Sequence, residues 1–336
     1  MSFSIIRPGM LTTVQDAGRL GYRQAGVIVS GPMDGLALWQ ANVLVGNPEE
    51  AAGLEITLRG PTIQFEADHL IALTGADLSP TLNGQPVLQR RPVAVTRGCE
   101  LAFGAARSGC RAYLAIAGGL AVPEVLGSRA TYLRAGIGGF QGRALQAGDV
   151  VPVAGPTELG SHLHRRLTSH HPDQPWAATR WSIAPSLQAS PTSVATVRAL
   201  RGPEYDRFTQ TSQQAFWTQE FTVTPSSDRM GYGLQGPELR RHNHQEILST
   251  AVTFGTVQVP AGGLPIILMA DHQTTGGYPR IVQVISTDFS LLAQLPMGGK
   301  LRFQEVTLAE AHHAYLHQER TLHQLARAIQ LTARHQ

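Results

Sequence analysis

Nine consecutive residues, Asp271-His272-Gln273-Thr274-Thr275-Gly276-Gly277-Tyr278-Pro279, gather a carboxylate, an imidazole, an amide, two hydroxyls and two adjacent glycines. Carboxylates and imidazoles move protons, amides and hydroxyls hydrogen-bond polar substrates, and glycines expose backbone N–H groups at close range. A plain turn, in which Asp271 and the threonines satisfy their own backbone, is the alternative reading. A second polar concentration runs from Ser226 to Pro237, where Ser227 precedes Asp228 and Arg229. An anion beside a planar five-donor cation suits binding of a carboxylate or polarisation of a carbonyl. A third, Ser30-Gly31-Pro32-Met33-Asp34, stands at a helix start, where free N–H groups favour anions.

These segments need rigid supports. The apolar runs Leu264–Ala270 and Ile281–Ile285 read as two buried strands that hold the 271–279 loop at their tip. Earlier in the chain, residues 62–65, 69–73, 93–95 and 112–117 have strand composition. Residues 34–46 place Leu36, Leu38, Ala41, Leu44 and Val45 at helical spacing, with Asp34 as cap and Gly46-Asn47-Pro48 as stop. Residues 156–192 are rich in Pro, Ser, His and Arg without strong periodicity and read as a linker. Strands resume at Val194, a helix is expected after Thr287, and Leu301–Phe303 closes the pattern. From Thr307, whose spacing to Glu310 is that of a capping box, an amphipathic helix is expected to pack on the body or on a partner. A weak echo between 30–34 with Gly60-Pro61 and 227–231 with Gly236-Pro237 suggests a duplicated β unit.

Composition narrows the function classes. With 336 residues, two lobes are the natural expectation, and 35 glycines with 21 prolines favour short strands over long helices. Net charge is only +3 and Lys300 is the sole lysine, so no basic patch suits nucleic acid. Cys99 and Cys110 lack CxxC spacing and read as reduced core thiols. No apolar run reaches membrane length and the start lacks a leader pattern, so a soluble cytoplasmic protein is expected. Gly136–Gly142 misses the dinucleotide spacing by one position, and Gly298-Gly299-Lys300 lacks the rest of a phosphate-binding loop. The pairs His162/His164 and His242/His244 would share a strand face but have no third ligand at hand, so no metal is expected.

Taken together, Thr13–Tyr22, Ser30–Asp34, Ala41–Asn47, Gly127–Tyr132, Gly138–Leu145, Ser227–Tyr232 and the Asp271 loop strongly resemble the family of 5-oxoprolinase C-subunits. That family is also described as allophanate hydrolase subunit 2-like or biotin-dependent carboxyltransferase. The likeness runs in order from about Phe3 to Val306 and leaves the tail outside. It implies two cyclophilin-like β-barrel lobes, so with the elements read above a mainly β protein with a few helices is expected: an N-terminal β-barrel-like lobe over 1–155, the linker 156–192, a C-terminal cyclophilin-like β-barrel lobe over 193–306, and a helical tail over 307–336. The likeness further implies a protein that works with partner subunits A and B in ATP-dependent opening of 5-oxoproline to glutamate. ATP then acts at the level of the assembly.

Opening a lactam needs oxyanion donors and a proton-handling group. Asp271, Asp228 and Arg229 are the expected catalytic residues, in a groove where the 227–231 turn and the 271–279 loop converge. Gln273, Thr274, Thr275, Gly276, Gly277, Ser227, Ser30 and Asp34 are expected to bind the small amide substrate. Which aspartate is the base stays open, and His272 is expected as a loop imidazole facing water. Two other readings stand beside this one: a biotin-dependent carboxyltransferase acting on urea or a related amide, and a regulatory protein that antagonises a kinase inhibitor.

Overall fold

The computed structural model describes residues 1–187, 193–243 and 247–335, and the chain divides into two compact units. The first comprises Met1–Arg19, Asp34–Ala189 and Leu322–Gln336; the second comprises Leu20–Met33 and Ser190–Thr321.

The first unit is built on two six-stranded antiparallel sheets. One runs, in spatial order, Val150–Pro152, Ser2–Arg7, Thr62–Phe65, Glu100–Ala102, Thr81–Leu82 and Gln85–Pro86. The other runs Trp176–Ala178, Pro92–Val95, His69–Asp77, Ser108–Ile116, Gly53–Thr57 and Leu11–Gln15. Alternating residues such as Phe3, Ile5, Ile63 and Phe65 from one sheet meet Leu54, Ile56, Ile71 and Leu114 from the other in a common core. His69–Asp77 and Ser108–Ile116 are apolar on both faces, because their outer residues Leu70, Ala72 and Ala115 are covered by helices. Helix α1 (Gly35–Leu44) supplies Ala41 and Leu44 to that cover and is capped by Asp34, whose carboxylate accepts from Ala37 N at 3.0 Å.

The stretch expected as a linker carries regular structure. Helix α2 (Glu158–His170) is capped by Thr157 and buries Leu163, with Leu159 and Leu167 packed against the same cluster. Its apolar stripe is three leucines four residues apart, set among histidine, arginine, serine and threonine side chains that mask the period. Trp176–Ala178 then pairs with Pro92–Val95. His162 and His164 therefore lie on a helix, where a two-residue spacing points the rings apart rather than along one strand face. His244 lies outside the described residues, and no group of metal-binding side chains occurs among the described ones.

The second unit is a closed seven-stranded barrel. Its strand order is Val194–Arg201, Arg280–Val284, Thr256–Gln258, Ile266–Leu268, Gly231–Gln235, Phe221–Val223 and Lys300–Glu305. A parallel pairing of Val194–Arg201 with Lys300–Glu305 closes the ring. Helix α3 (Gln210–Thr218) contributes Phe216, which stacks on Phe303 with centroids 4.4 Å apart and packs beside Phe221. Burying each of these rings contributes about 1.5–3 kcal/mol. Helix α4 (Phe289–Ala293) follows, as expected after Thr287. Helix α5 (Leu308–His335) opens with the capping box: Glu310 accepts from Thr307 N at 2.7 Å, and Thr307 Oγ1 accepts from Glu310 N at 3.2 Å. Its last turns bury Ile329 and Ala333 in the first unit's helical cluster. No described helix is long and apolar enough to cross a membrane.

Candidate active site

The second unit gathers most of the expected residues. Gly231–Gln235 pairs with Ile266–Leu268, and the ladder extends past both strand ends through Met269 N to Met230 O (3.0 Å) and Asp271 N to Arg229 O (2.7 Å). Arg229 and Asp271 are thereby held side by side by backbone, before any side-chain contact forms. The guanidinium then grips the carboxylate with two bonds, Nε to Oδ2 at 2.9 Å and Nη2 to Oδ1 at 3.0 Å. Both side chains are buried, 7% and 6% exposed. Ser30 Oγ donates to Asp271 Oδ1 at 2.7 Å, and the Gly31 carbonyl accepts from Arg229 Nη2 at 2.6 Å. Ser30 sits at φ +57° and Gly31 at +88°. A left-handed, β-carbon-bearing residue is costly, and such residues persist where their surroundings over-determine them. The bond to Asp271 is one such constraint here.

His272 departs from expectation, since it is buried rather than facing water. Its Nδ1 lies 2.6 Å from the Gln273 carbonyl, which only accepts, so Nδ1 carries the proton and Nε2 keeps a lone pair. Burial lowers the His272 pKa, and Arg23 lowers it further, against opposing pulls from the Gln273 bond and Asp271. The imidazole is thus held neutral with one nitrogen ready to accept a proton. Arg23 itself donates to the Val252 carbonyl, and Val252 N donates to Thr274 O at 3.2 Å, tying the loop to its neighbour. Nothing in the sequence links Arg23 to position 272, so this pairing had no local signal.

The remaining expected residues separate. Asp228 is exposed, and its Oδ1 closes its own turn by accepting from Met230 N (2.7 Å) and Gly231 N (3.2 Å). It takes no part in the Asp271 network, because its carboxylate is turned to the backbone of the 228–231 turn. Ser227 is buried, 3.3 Å from Thr224 Oγ1. Gln273 and Thr275 are exposed and Thr274 is half-buried, forming a polar rim. Gly276 pairs with Thr250 in a short two-stranded sheet, and a β-carbon there would come within 2.4 Å of Gln258 Nε2. A larger residue there would have to displace the Gln258 amide. Gly277 is half-buried, next to Ser249. Asp34 belongs to the first unit, where it caps α1 and its N–H donates to Tyr113 Oη at 2.8 Å.

Comparison with known proteins agrees with this architecture. The family model "Carboxyltransferase domain, subdomain A and B" matches residues 25–305. The chain is 42% identical to the 5-oxoprolinase C-subunit of Escherichia coli over 96% of its length and 97% of that protein. The chain belongs to the family of 5-oxoprolinase C-subunits. The corresponding Haemophilus influenzae protein is 40% identical over 94% of this chain and 95% of its own. Among solved structures, the Kluyveromyces lactis urea carboxylase superposes with a TM-score of 0.84 at 30% identity over 96% of this chain. The chain spans 29% of that much longer enzyme, so the likeness is to one region of it.

Proposed function

We propose that this family member is a catalytic subunit of a 5-oxoprolinase, opening the lactam of 5-oxo-L-proline to L-glutamate in an ATP-dependent assembly with subunits A and B. The observation that carries this reading is the near full-length match to two proteins named as 5-oxoprolinase C-subunits. Adding water to a lactam carbonyl requires a proton acceptor for the water and hydrogen-bond donors for the developing oxyanion. His272 supplies the acceptor, a neutral imidazole whose Nε2 lone pair is unengaged by the Nδ1 bond. Asp271 is a poor choice for that role, since its two oxygens already accept from Ser30 and from both arms of Arg229. The Asp271–Arg229 pair instead holds the loop, and the Thr274 and Thr275 hydroxyls with the Gln273 amide meet the planar substrate.

A triphosphate does not fit these residues. Arg229 is committed to Asp271 and Gly31, Arg23 to Val252, and Gly298-Gly299-Lys300 leads into the strand Lys300–Glu305 rather than a helix. ATP is therefore assigned to the assembly. A biotin-dependent transfer of a carboxyl group is the second reading, favoured by the carboxyltransferase-domain match. The 273–275 rim suits a ureido ring as well as a lactam, since both are planar amides.

The test is to purify the chain with candidate A and B subunits and follow glutamate formed from 5-oxoproline with ATP. His272→Gln is expected to cut turnover by about 10²- to 10⁴-fold, whereas Asp228→Ala leaves it unchanged. Equal activity of His272→Gln and wild type removes the imidazole from the chemistry. Loss of activity on adding avidin favours the biotin reading.

A further inference from the structure

A cavity of about 510 Å³ lies in the first unit, remote in sequence from the loops described above. Its walls are the C-terminal half of α2, the segment 178–181 that leaves the edge strand, and Thr332 with Ala333 of α5. Leu163, Leu167, Ala333 and Trp181 are its apolar lining. Arg166, Arg180, His170 and His171 are its basic lining, and no aspartate or glutamate lines it.

The two arginines are the informative part. Arg143, Arg198, Arg201, Arg229 and Arg280 are each bonded to a carboxylate of their own unit. Arg166 and Arg180 have no carboxylate partner among the described residues. Near the end of α2, Arg166 O accepts from Ser169 Oγ (3.0 Å) and lies 2.7 Å from His170 Nδ1, and Thr168 O accepts from His171 N (3.2 Å), so these two carbonyls are already engaged. Two forked cations and an indole lining one space, of the size of small-molecule sites, match one class of ligand.

We infer that this cavity binds a small anion with a flat apolar body, its phosphate or carboxylate held by Arg166 and Arg180 and its body lying on Trp181. The inference stands independently of the proposed reaction. The full chain is titrated by calorimetry with 1-naphthyl phosphate and 2-naphthoate, against 2-naphthalenemethanol as the body without charge and inorganic phosphate as charge without body. Both naphthyl anions are expected to bind at least about tenfold more tightly than either control, a difference of about 1.4 kcal/mol. The stronger of the two anions identifies whether phosphate or carboxylate is preferred. The double variant Arg166→Gln/Arg180→Gln should lose at least tenfold in affinity, with an unchanged unfolding temperature, and Trp181→Leu should weaken both anions alike. No binding of either anion, equal binding by the neutral probe, or undiminished affinity in the folded double variant overturns the assignment.

Discussion

Removing the Asp271 carboxylate should destabilise the second unit far more than an exposed ion pair would. In Asp271→Ala the Arg229 guanidinium keeps the Gly31 carbonyl but loses both bonds to the carboxylate while remaining only 7% exposed. Breaking a buried pair from one side costs about 3–5 kcal/mol, whereas an exposed pair is worth about 0–1 kcal/mol. At roughly 2–4 °C per kcal/mol for a unit of this size, the corresponding calorimetric transition should fall by about 6–20 °C. Arg229→Met should fall comparably, since it strands Asp271. The double variant Asp271→Leu/Arg229→Met buries no charge and should be more stable than either single variant. Ser30→Ala removes one bond to the buried carboxylate at an unchanged backbone strain, so it should cost about 1–2 kcal/mol. Scanning calorimetry of the full chain at fixed pH measures all four. A shift under about 2 °C for Asp271→Ala, or a double variant worse than the sum of the singles, would refute the buried-pair reasoning.

Acid should weaken both units. Burial lowers the pKa of His69 and His164 in the first unit and His272 in the second. The unfolded chain takes up these protons near pH 6.5 while the folded chain does so only at lower pH, so the stabilisation is complete above pH 6.5 and is lost progressively as pH falls from there through the lowered folded values. Each histidine adds up to about 1.4 kcal/mol per pH unit to the slope. Denaturant midpoints between about pH 7.5 and 5 should show this, and His69→Gln should flatten the first unit's share. Cys99 and Cys110 are both free and buried, and burial pushes the Cys99 thiol up to about 11. Neither should react with Ellman's reagent at about pH 8 until denaturant is added, and rapid labelling of native protein would contradict their burial. Gly142 sits at φ +70°, and a β-carbon there would lie 1.9 Å from Gly136 O. Gly142→Ala should therefore cost more than the ~1–2 kcal/mol of left-handed strain alone, read as a lowered unfolding temperature of the first unit.

Where one local rule decided the structure, the sequence was transparent. Asp34 before an apolar helical period gave α1 and its cap, and Thr307 with Glu310 gave the start of α5. Strand composition located residues 62–65, 69–73 and 93–95 because those strands are buried and bounded by turns. Helix α2 was hidden, because its stripe of three leucines is diluted by side chains that favour solvent, and its helicity depends on the sheet beneath it. Barrel closure was equally silent, since pairing Val194–Arg201 with Lys300–Glu305 joins strands far apart in the chain.

The site divides along the same line. Asp228 and Asp271 look alike in sequence, each an aspartate next to a basic residue and close to an apolar stretch. Their fates differ because the hydrogen bonds that continue the ladder of Gly231–Gln235 and Ile266–Leu268 set Arg229 beside Asp271, where both are buried. Asp228 is exposed, and its carboxylate bonds the backbone of its own turn. His272 is buried as well, carried by the turn that its N–H closes on Met269 O at 3.1 Å, and its tautomer is fixed on a carbonyl one residue away. The proton-accepting nitrogen is thus set by a local turn, whereas its placing next to a buried Arg229–Asp271 pair depends on the pairing of two strands far apart in the chain, a long-range property that no spacing within residues 271–279 encodes.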